Sequence, residues 1–182
     1  PPTLLRNPPT LASGQDLVSF YMTPGYWLWD PSALVFFSFA VFFGMILSDA
    51  GYGLVMGLGL ALGWKKMKRS DSGRRLRVLF ATLVGATITW GTLVGSYFGF
   101  ALPEGFWLGR LNVLDLNDFD RMMTISILIG VGHLVLANLA DMRRRGLNAG
   151  ALASLGWIAV LIGAVLLWYG TGRAGDGLSW DA

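Results

Sequence analysis

An apolar run that begins at Ala33 and ends at Trp64 constrains this chain more than any other feature. The run is interrupted only by Ser38 and by the segment from Ser48 to Gly53, which contains the carboxylate Asp49. A carboxylate in hydrocarbon costs about 2.5–3.5 kcal/mol on insertion scales, so it usually faces protein, a wet cavity or a turn. The run therefore indicates a membrane protein with a polar feature inside its first apolar block.

The amino-acid composition also indicates a protein that is embedded in a lipid bilayer. Of the 182 residues, 54% are hydrophobic and only 14% are charged, whereas a soluble domain averages about 25% charged residues. Three further apolar blocks cover residues 78–102, 122–140 and 149–169. Each is close to the about 20 residues that one crossing requires. We therefore predict an all-α, polytopic transmembrane helical bundle without a β-sheet.

Glycine spacing in the second block predicts close helix packing. Gly91, Gly95 and Gly99 follow one another at intervals of four residues, the spacing that lets helix backbones approach each other in membranes. Packing within a single bundle and a dedicated dimer seam are both compatible with this pattern.

Basic residues predict the orientation of the bundle. They form two short clusters, at Lys65, Lys66, Lys68, Arg69, Arg74, Arg75 and Arg77, and at Arg143, Arg144 and Arg145. Cytoplasmic loops carry an excess of lysine and arginine, so residues 65–77 and 142–148 are expected to be cytoplasmic. The acidic segment 103–121 and a tail at 171–182 are then expected on the opposite side. We also expect the clusters to contact anionic membrane lipids, or acidic stalk partners.

The first block, residues 33–64, permits two topologies. A single crossing would leave residues 1–32 outside, whereas a turn at Asp49 would leave them inside. Gly51 and Gly53 permit a tight turn, and Asp49 can cap a new helix. Each arm would then have about 15 residues and a length of roughly 22 Å, less than a bilayer core of about 30 Å. The residues alone leave both topologies open.

An ordered set of motifs resembles a known family. The motifs are Pro2-Thr3-Leu4-Leu5-Arg6-Asn7-Pro8, Phe20-Tyr21, Pro24, Tyr26, Asp30-Pro31-Ser32, Phe42-Phe43-Gly44, Leu47, Asp49-Ala50-Gly51-Tyr52-Gly53 and, later, Ser126, Gly130 and His133. In that order they resemble the membrane stator subunit of V-type and A-type rotary ATPases, called subunit a or subunit I. The resemblance extends from Pro2 to about Asp141. It departs from the family pattern at Leu28 and Ser48.

The resemblance implies a fold and a function. Residues 1–32 would be the end of a cytoplasmic arm, and residues 33–170 a transmembrane domain of about five membrane helices whose first two form a short hairpin. The family carries protons or sodium ions through two half-channels to a proteolipid ring, with peripheral-stalk subunits as further partners, here in a bacterial or archaeal plasma membrane. A late helix of the family bears an essential arginine, and no arginine lies within an apolar block of residues 1–182. Because Pro1 is not a start residue, we expect the chain to be a piece of a longer one.

Two polar positions inside the apolar blocks are candidates for function. Asp49, with Gly51, Tyr52 and Gly53, either caps a helix at the hairpin turn or lies near an ion path. His133 shares a helix face with Ser126, which lies seven residues before it. Asn138, five residues after His133, lies about 140° around the helix from His133. Two roles are compatible with a histidine inside a membrane segment, namely an interhelical hydrogen bond and a proton relay in a half-channel.

Other function classes are not supported by the sequence. The chain has no cysteine and one histidine, so we expect no metal site, and we expect no cofactor. No phosphate-binding Gly-rich motif is present, so catalysis would belong to partner subunits. A net charge of +3, confined to short clusters, argues against nucleic acid. The alternative function is a small stand-alone ion transporter or channel, which would need paired intramembrane charges of its own.

Overall fold

The computed structural model describes residues 7–8, 11–21, 30–102, 106–114, 118–146 and 148–175. Within these ranges the helices are α1 (Ala12–Tyr21), α2 (Ser32–Leu47), α3 (Ala50–Met67), α4 (Asp71–Val94), α5 (Phe119–Arg145) and α6 (Ala149–Gly175), with a 3-10 helix at Trp107–Leu111. Two-residue strands, β1 (Ser96–Tyr97) and β2 (Phe100–Ala101), follow α4. The chain divides into two compact units, Pro1–Met122 and Met123–Ala182.

Three of these helices are long and apolar enough to cross a membrane, namely α4, α5 and α6. They correspond to the second, third and fourth apolar blocks. The first block instead gives two shorter helices, α2 with 16 residues and α3 with 18, or about 24 and 27 Å at 1.5 Å per residue. The prediction of a helical membrane bundle, with three spans and a short first pair, is confirmed.

The first block breaks at Ser48, because the backbone there enters the left-handed region. Ser48 has a φ of 44°, which ends α2, and Asp49 has extended dihedrals and caps the start of α3. The left-handed region is unfavourable for the bulky apolar residues around this position, and the Ser48 hydroxyl donates a hydrogen bond to the carbonyl of Met45. The break therefore falls inside the predicted polar segment.

Packing against α4 gives the directions of the two short helices. Phe36 and Ala40 of α2 form a buried cluster with Leu79 and Leu83 of α4. Farther along α2, a side chain at Gly44 would meet the backbone of Ala86 at 2.9 Å. Successive positions on α2 therefore meet successive positions on α4, and the two helices run in the same direction.

The α3 helix runs the opposite way along α4. A side chain at Gly53 would lie 2.8 Å from Ile88, whereas one at Gly57, a turn later, would lie 3.1 Å from Val84. The apolar block thus turns back at Ser48, and the single-crossing alternative is wrong. The start of α2 and the end of α3 consequently lie at the same end of α4.

Small or apolar residues three or four apart line the buried faces of this three-helix packing. On α2 they are Ser32, Phe36, Ala40 and Gly44, and on α4 they are Leu79, Leu83, Thr87, Gly91 and Val94. Residues three or four apart lie on one face of a helix. Both short helices therefore pack against one buried face of α4, which has a glycine, Gly91, where α3 comes close.

The α1 helix packs at the end where α2 begins. Ser13 Oγ donates to the carbonyl of Arg75 at 2.6 Å, and Arg75 Nη1 lies 3.1 Å from Asp16 Oδ1. Asp30 Oδ1 accepts from the backbone N–H of Ser32 at 2.9 Å, which fixes the entry into α2. These contacts hold α1 against the first turns of α4.

The second apolar block ends differently from its prediction. Gly95 has a φ of +76° and terminates α4, so residues 96–101 form an antiparallel pair instead of a last helical turn. Phe98 and Gly99 connect the strands with φ values of 56° and 77°. Positive φ at both central residues matches the twist of a tight hairpin. The expectation of no β-sheet is therefore wrong for this two-stranded pair. The predicted glycine packing face is also wrong beyond Gly91, because Gly95 and Gly99 lie outside α4.

In the second unit, α5 and α6 are joined by a short connection. Gly146 has a φ of +68° at the end of α5, and Asn148 Oδ1 accepts from the N–H of Ala151 at 3.1 Å, which caps α6. Ser154 Oγ donates to Asp141 Oδ2 at 3.0 Å. The α6 helix continues to Gly175, past the predicted domain boundary after residue 170, and residues 176–182 of the predicted tail lie outside the described ranges.

Candidate functional site

Asp49 occupies the junction between α2 and α3, with only 5% of its surface exposed. Its Oδ1 accepts from the N–H of Tyr52 at 3.0 Å, which is the contact of a helix N-cap. The backbone N–H groups in the first turn of any helix lack partners within that helix. The predicted capping role of Asp49 is therefore visible in the geometry of α3.

Three further donors reach Asp49 from the hairpin that follows α4. Its Oδ1 also accepts from the N–H of Phe98 at 2.9 Å. Its Oδ2 accepts from Ser96 Oγ at 2.8 Å and from the N–H of Gly99 at 2.7 Å. Each carboxylate oxygen thus has two donors. We call this set, Asp49 with Tyr52, Ser96, Phe98 and Gly99, the aspartate clamp.

Two glycines provide the space that the aspartate clamp requires. A Cβ at Gly51 would lie 2.6 Å from the ring of Phe98, and one at Gly91 would lie 2.1 Å from the backbone nitrogen of Ala50. The rings of Tyr52 and Phe98 meet edge to face, with centroids 5.4 Å apart. The predicted turn residues Gly51 and Tyr52 thus contact the β1–β2 hairpin, whereas Gly53 contacts α4.

The sequence does not predict the donors from the hairpin, because the apolar block 78–102 predicts a continuous helix there. The available signal was the pair Gly95 and Gly99, whose spacing fits a turn as well as a helix seam. Phe98 has a left-handed φ of 56°, which is uncommon for a bulky residue. The bond from its N–H to Asp49 and its ring contact with Tyr52 stabilise that conformation.

In the aspartate clamp, the Asp49 carboxylate is the hydrogen-bond acceptor, and each of its two oxygens already accepts from two donors. An ionised carboxylate only accepts hydrogen bonds, and hydrogen bonds to charged groups are worth about 1.5–3 kcal/mol each. No group of three or more His, Asp or Glu side chains in the described ranges could hold a metal ion. The arrangement is suited to joining the start of α3 to the segment after α4.

The other polar candidates lie in the second unit, on α5. Asn138 Nδ2 donates to the carbonyl of Leu134 in its own helix, at 2.9 Å. Ser126 is exposed and His133 is partly buried. Both residues lie on α5, where a spacing of seven residues corresponds to one helix face. The predicted polar residues are therefore divided between the two units.

Several known proteins are similar to this chain, although no family model matches it. V-type ATP synthase subunit I of Chlamydia trachomatis is 43% identical over 91% of the chain. V-type ATP synthase subunit I 1 of Treponema pallidum is 32% identical over 89% of the chain, and A-type ATP synthase subunit I of Pyrococcus abyssi is 30% identical over 91%. This chain is a homologue of subunit I of the V-type and A-type ATP synthases.

The homology to subunit I covers nearly all of this chain but only part of each relative. The aligned region spans 34% of the Chlamydia trachomatis protein, 28% of the Treponema pallidum protein and 26% of the Pyrococcus abyssi protein. The chain thus corresponds to about a quarter to a third of the length of these subunits.

The basic clusters of this subunit I homologue lie at helix ends. Lys65 and Lys66 are in the last turn of α3, Lys68 and Arg69 connect α3 to α4, and Arg143, Arg144 and Arg145 end α5. Most of the predicted loop 65–77 is therefore helical, because α3 extends to Met67 and α4 begins at Asp71. The Cζ atom of Arg77 lies 4.4 Å from the centroid of the Trp64 ring, which is cation–π geometry.

Proposed function

We propose that this subunit I homologue is the early part of the membrane-embedded stator of a rotary ATPase or ATP synthase. In this role it contributes to translocation of protons, or sodium ions, against a proteolipid ring. The observation that carries the proposal is the similarity to subunit I over nine-tenths of the chain. The three long apolar helices support an integral membrane position.

The proposal includes an orientation in a bacterial or archaeal plasma membrane. Residues 1–32 are the end of a cytoplasmic arm, residues 33–170 are the transmembrane domain, and residues 171–182 lie on the opposite side. The ion pair between Asp16 and Arg75 supports a common side for α1 and the basic segment 65–77. Of the arm, residues 1–6, 9–10 and 22–29 lie outside the described ranges.

Within this function we assign Asp49 a structural role. The four donors of the aspartate clamp support a carboxylate that fixes the turn of the α2–α3 hairpin rather than one that exchanges an ion. For His133 we propose an interhelical hydrogen bond, with Ser126 on the same face of α5. The proteolipid ring and peripheral-stalk subunits are the proposed partners.

Purification of the natural gene product tests the proposal. The full-length protein, tagged and extracted from its own membranes, is weighed together with everything that it retains. We expect proteolipid-ring, stalk and nucleotide-binding subunits in the same complex. A protein that purifies alone would contradict the stator assignment and favour a stand-alone transporter or channel.

Reconstitution of the complex tests the transport step separately. Vesicles containing the complex are expected to take up protons or sodium ions on addition of ATP. Modification of the ring carboxylates with a carbodiimide should abolish that uptake. ATP hydrolysis that the carbodiimide still inhibits, but that drives uptake of neither ion, would contradict the translocation role.

A further inference from the structure

A cleft of about 470 Å³ lies between α1 and the first turns of α4. Its polar lining consists of Arg74, Arg75, Arg77, Asp71, Asn7 and Gln15. We call it the arginine cleft. It lies at the end of α4 where the apolar stretch begins, since Val78 follows Arg77 directly.

The arginines of the cleft keep donor capacity after their contacts within the protein. Arg74 pairs with Asp71 on an exposed surface, and Arg75 Nη1 contacts Asp16. A guanidinium carries five N–H donors, so each of these pairs leaves donors over. Arg77 Nε is buried and has no hydrogen-bond partner among the described residues. Three arginines with unused donors thus line one cleft.

An apolar groove adjoins the cleft along α3. The groove has a volume of about 360 Å³ and is lined by Gly57, Leu60, Ala61, Trp64 and Lys65. Arg77, which lines the cleft, stacks on Trp64, which lines the groove, with Cζ 4.4 Å from the ring centroid. A cationic cleft and an apolar groove therefore meet at the Arg77–Trp64 contact.

We propose that the arginine cleft binds the phosphate of an anionic phospholipid, and that the groove on α3 holds one of its acyl chains. The planar donor fork of arginine matches a phosphate better than an ammonium does. Tryptophan favours the headgroup level of a bilayer, and Trp64 occupies the junction between the two parts. A free phosphate ion offers the headgroup chemistry but has nothing to place in the groove. This inference does not depend on ion translocation.

The test measures lipid binding to the full-length natural protein. The delipidated protein in uncharged detergent is titrated with dioleoyl phosphatidylglycerol, dioleoyl phosphatidylcholine or inorganic phosphate, and bound molecules are counted by native mass spectrometry. About 0.2 M ammonium acetate reduces diffuse attraction, because the Debye length is then about 7 Å. We expect one phosphatidylglycerol molecule to be retained, at least about tenfold more tightly than phosphatidylcholine.

Matched variants separate the cleft from general positive charge. Arg74→Gln/Arg77→Gln removes two charges from the cleft, and Lys66→Gln/Lys68→Gln removes two from exposed positions of the same basic segment. We expect the first pair to weaken phosphatidylglycerol binding by about tenfold or more, as charge-assisted hydrogen bonds are lost. The lysine pair should change binding by less than about threefold. Equal losses in both pairs would overturn the proposal.

A groove variant separates a lipid from a free anion. Ala61→Trp fills the groove and should weaken binding of the dioleoyl lipid while leaving binding of a dihexanoyl analogue unchanged. Inorganic phosphate that binds as tightly as the lipid would reassign the cleft to free anions and overturn the lipid proposal. If the double arginine variant does not fold, Arg77→Lys tests the same contact, since it keeps the charge but loses the planar fork.

Discussion

Asp49 joins two segments that are almost fifty residues apart, because its donors come both from α3 and from the hairpin after α4. Asp49→Ala would leave the N–H groups of Tyr52, Phe98 and Gly99 without their acceptor. We expect a loss of about 3 kcal/mol or more in the free energy of unfolding, since each bond to a charged group contributes about 1.5–3 kcal/mol. The amount of the subunit in purified complexes should fall, whereas turnover per assembled complex should change little.

The control for Asp49→Ala is Asp71→Ala, which removes an equal charge from an exposed pair with Arg74. An exposed ion pair contributes little, so assembly of this variant should remain near the wild-type level. Normal assembly of Asp49→Ala with loss of transport would contradict the clamp and favour the ion-path alternative.

His133 is the only histidine of the chain, and its role is separable from that of Asp49. Glutamine can donate and accept hydrogen bonds but does not titrate near neutral pH. We therefore expect His133→Gln to leave the rate of ATP-driven ion uptake and its profile between about pH 5 and 8 unchanged. His133→Leu, which cannot form hydrogen bonds, should lower assembly. A shifted pH profile in the glutamine variant alone would favour the proton relay.

At the residue scale, the sequence predicts the cap but not its partners. An aspartate followed by Gly51 and Gly53 inside an apolar block is enough to predict a capped turn. The donors from Ser96, Phe98 and Gly99 depend on the backbone of a distant segment, and hydropathy carries no information about such contacts. The local preference of Asp49 was therefore predictable, whereas its tertiary hydrogen bonds were not.

Among the elements, α3 and α4 approach each other closely at Gly91. A methyl group at Gly91 would lie 2.1 Å from the nitrogen of Ala50, whereas one at Gly85 of the same helix would meet nothing within 4 Å. We expect Gly91→Ala to separate the helices and to cost about 1–3 kcal/mol. Gly85→Ala should be neutral, or stabilising by up to about 1 kcal/mol through helix propensity.

Thermal unfolding of the two purified glycine variants measures this difference. Only Gly91→Ala should unfold at a lower temperature than the wild type, and it should also yield less assembled subunit. Similar unfolding temperatures for both variants would show that the close contact between α3 and α4 does not limit stability.

Element boundaries were predicted well where polar residues mark them and poorly where they do not. The first block breaks at Ser48 because a serine and an aspartate supply the turn chemistry. The apolar pattern predicts a second block that reaches residue 102, because Tyr97, Phe98 and Phe100 are as apolar as a membrane helix requires. A left-handed glycine ends α4 instead, and the sequence alone does not distinguish Gly95 in that role from a glycine in a helix seam.

At the scale of the whole molecule, the directions of α2 and α3 along α4 restrict the topology. Because α2 runs with α4 and α3 runs against it, the chain enters α2 at the end of α4 where the basic segment lies. The contacts of Ser13 and Asp16 with Arg75 bring α1 to the same end. If residues 65–77 are cytoplasmic, α1 must be cytoplasmic as well. A single crossing by the first block would instead place α1 on the opposite side of the membrane.

Labelling of single cysteines tests this topology, since residues 1–182 contain no cysteine. In the full-length protein with any other cysteines replaced, the sites are Ser19→Cys on α1, Lys68→Cys between α3 and α4, and Gly109→Cys in the 3-10 helix. A membrane-impermeant maleimide should label the first two only in inside-out vesicles and the third only in right-side-out vesicles, whereas a permeant maleimide should label all three. Labelling of Ser19→Cys and Lys68→Cys from opposite sides would contradict the arrangement of α1, α2 and α3 around α4. Labelling of both from the outer side would keep that arrangement and invert the proposed orientation, because the hairpin requires a shared side and the basic residues decide which side it is.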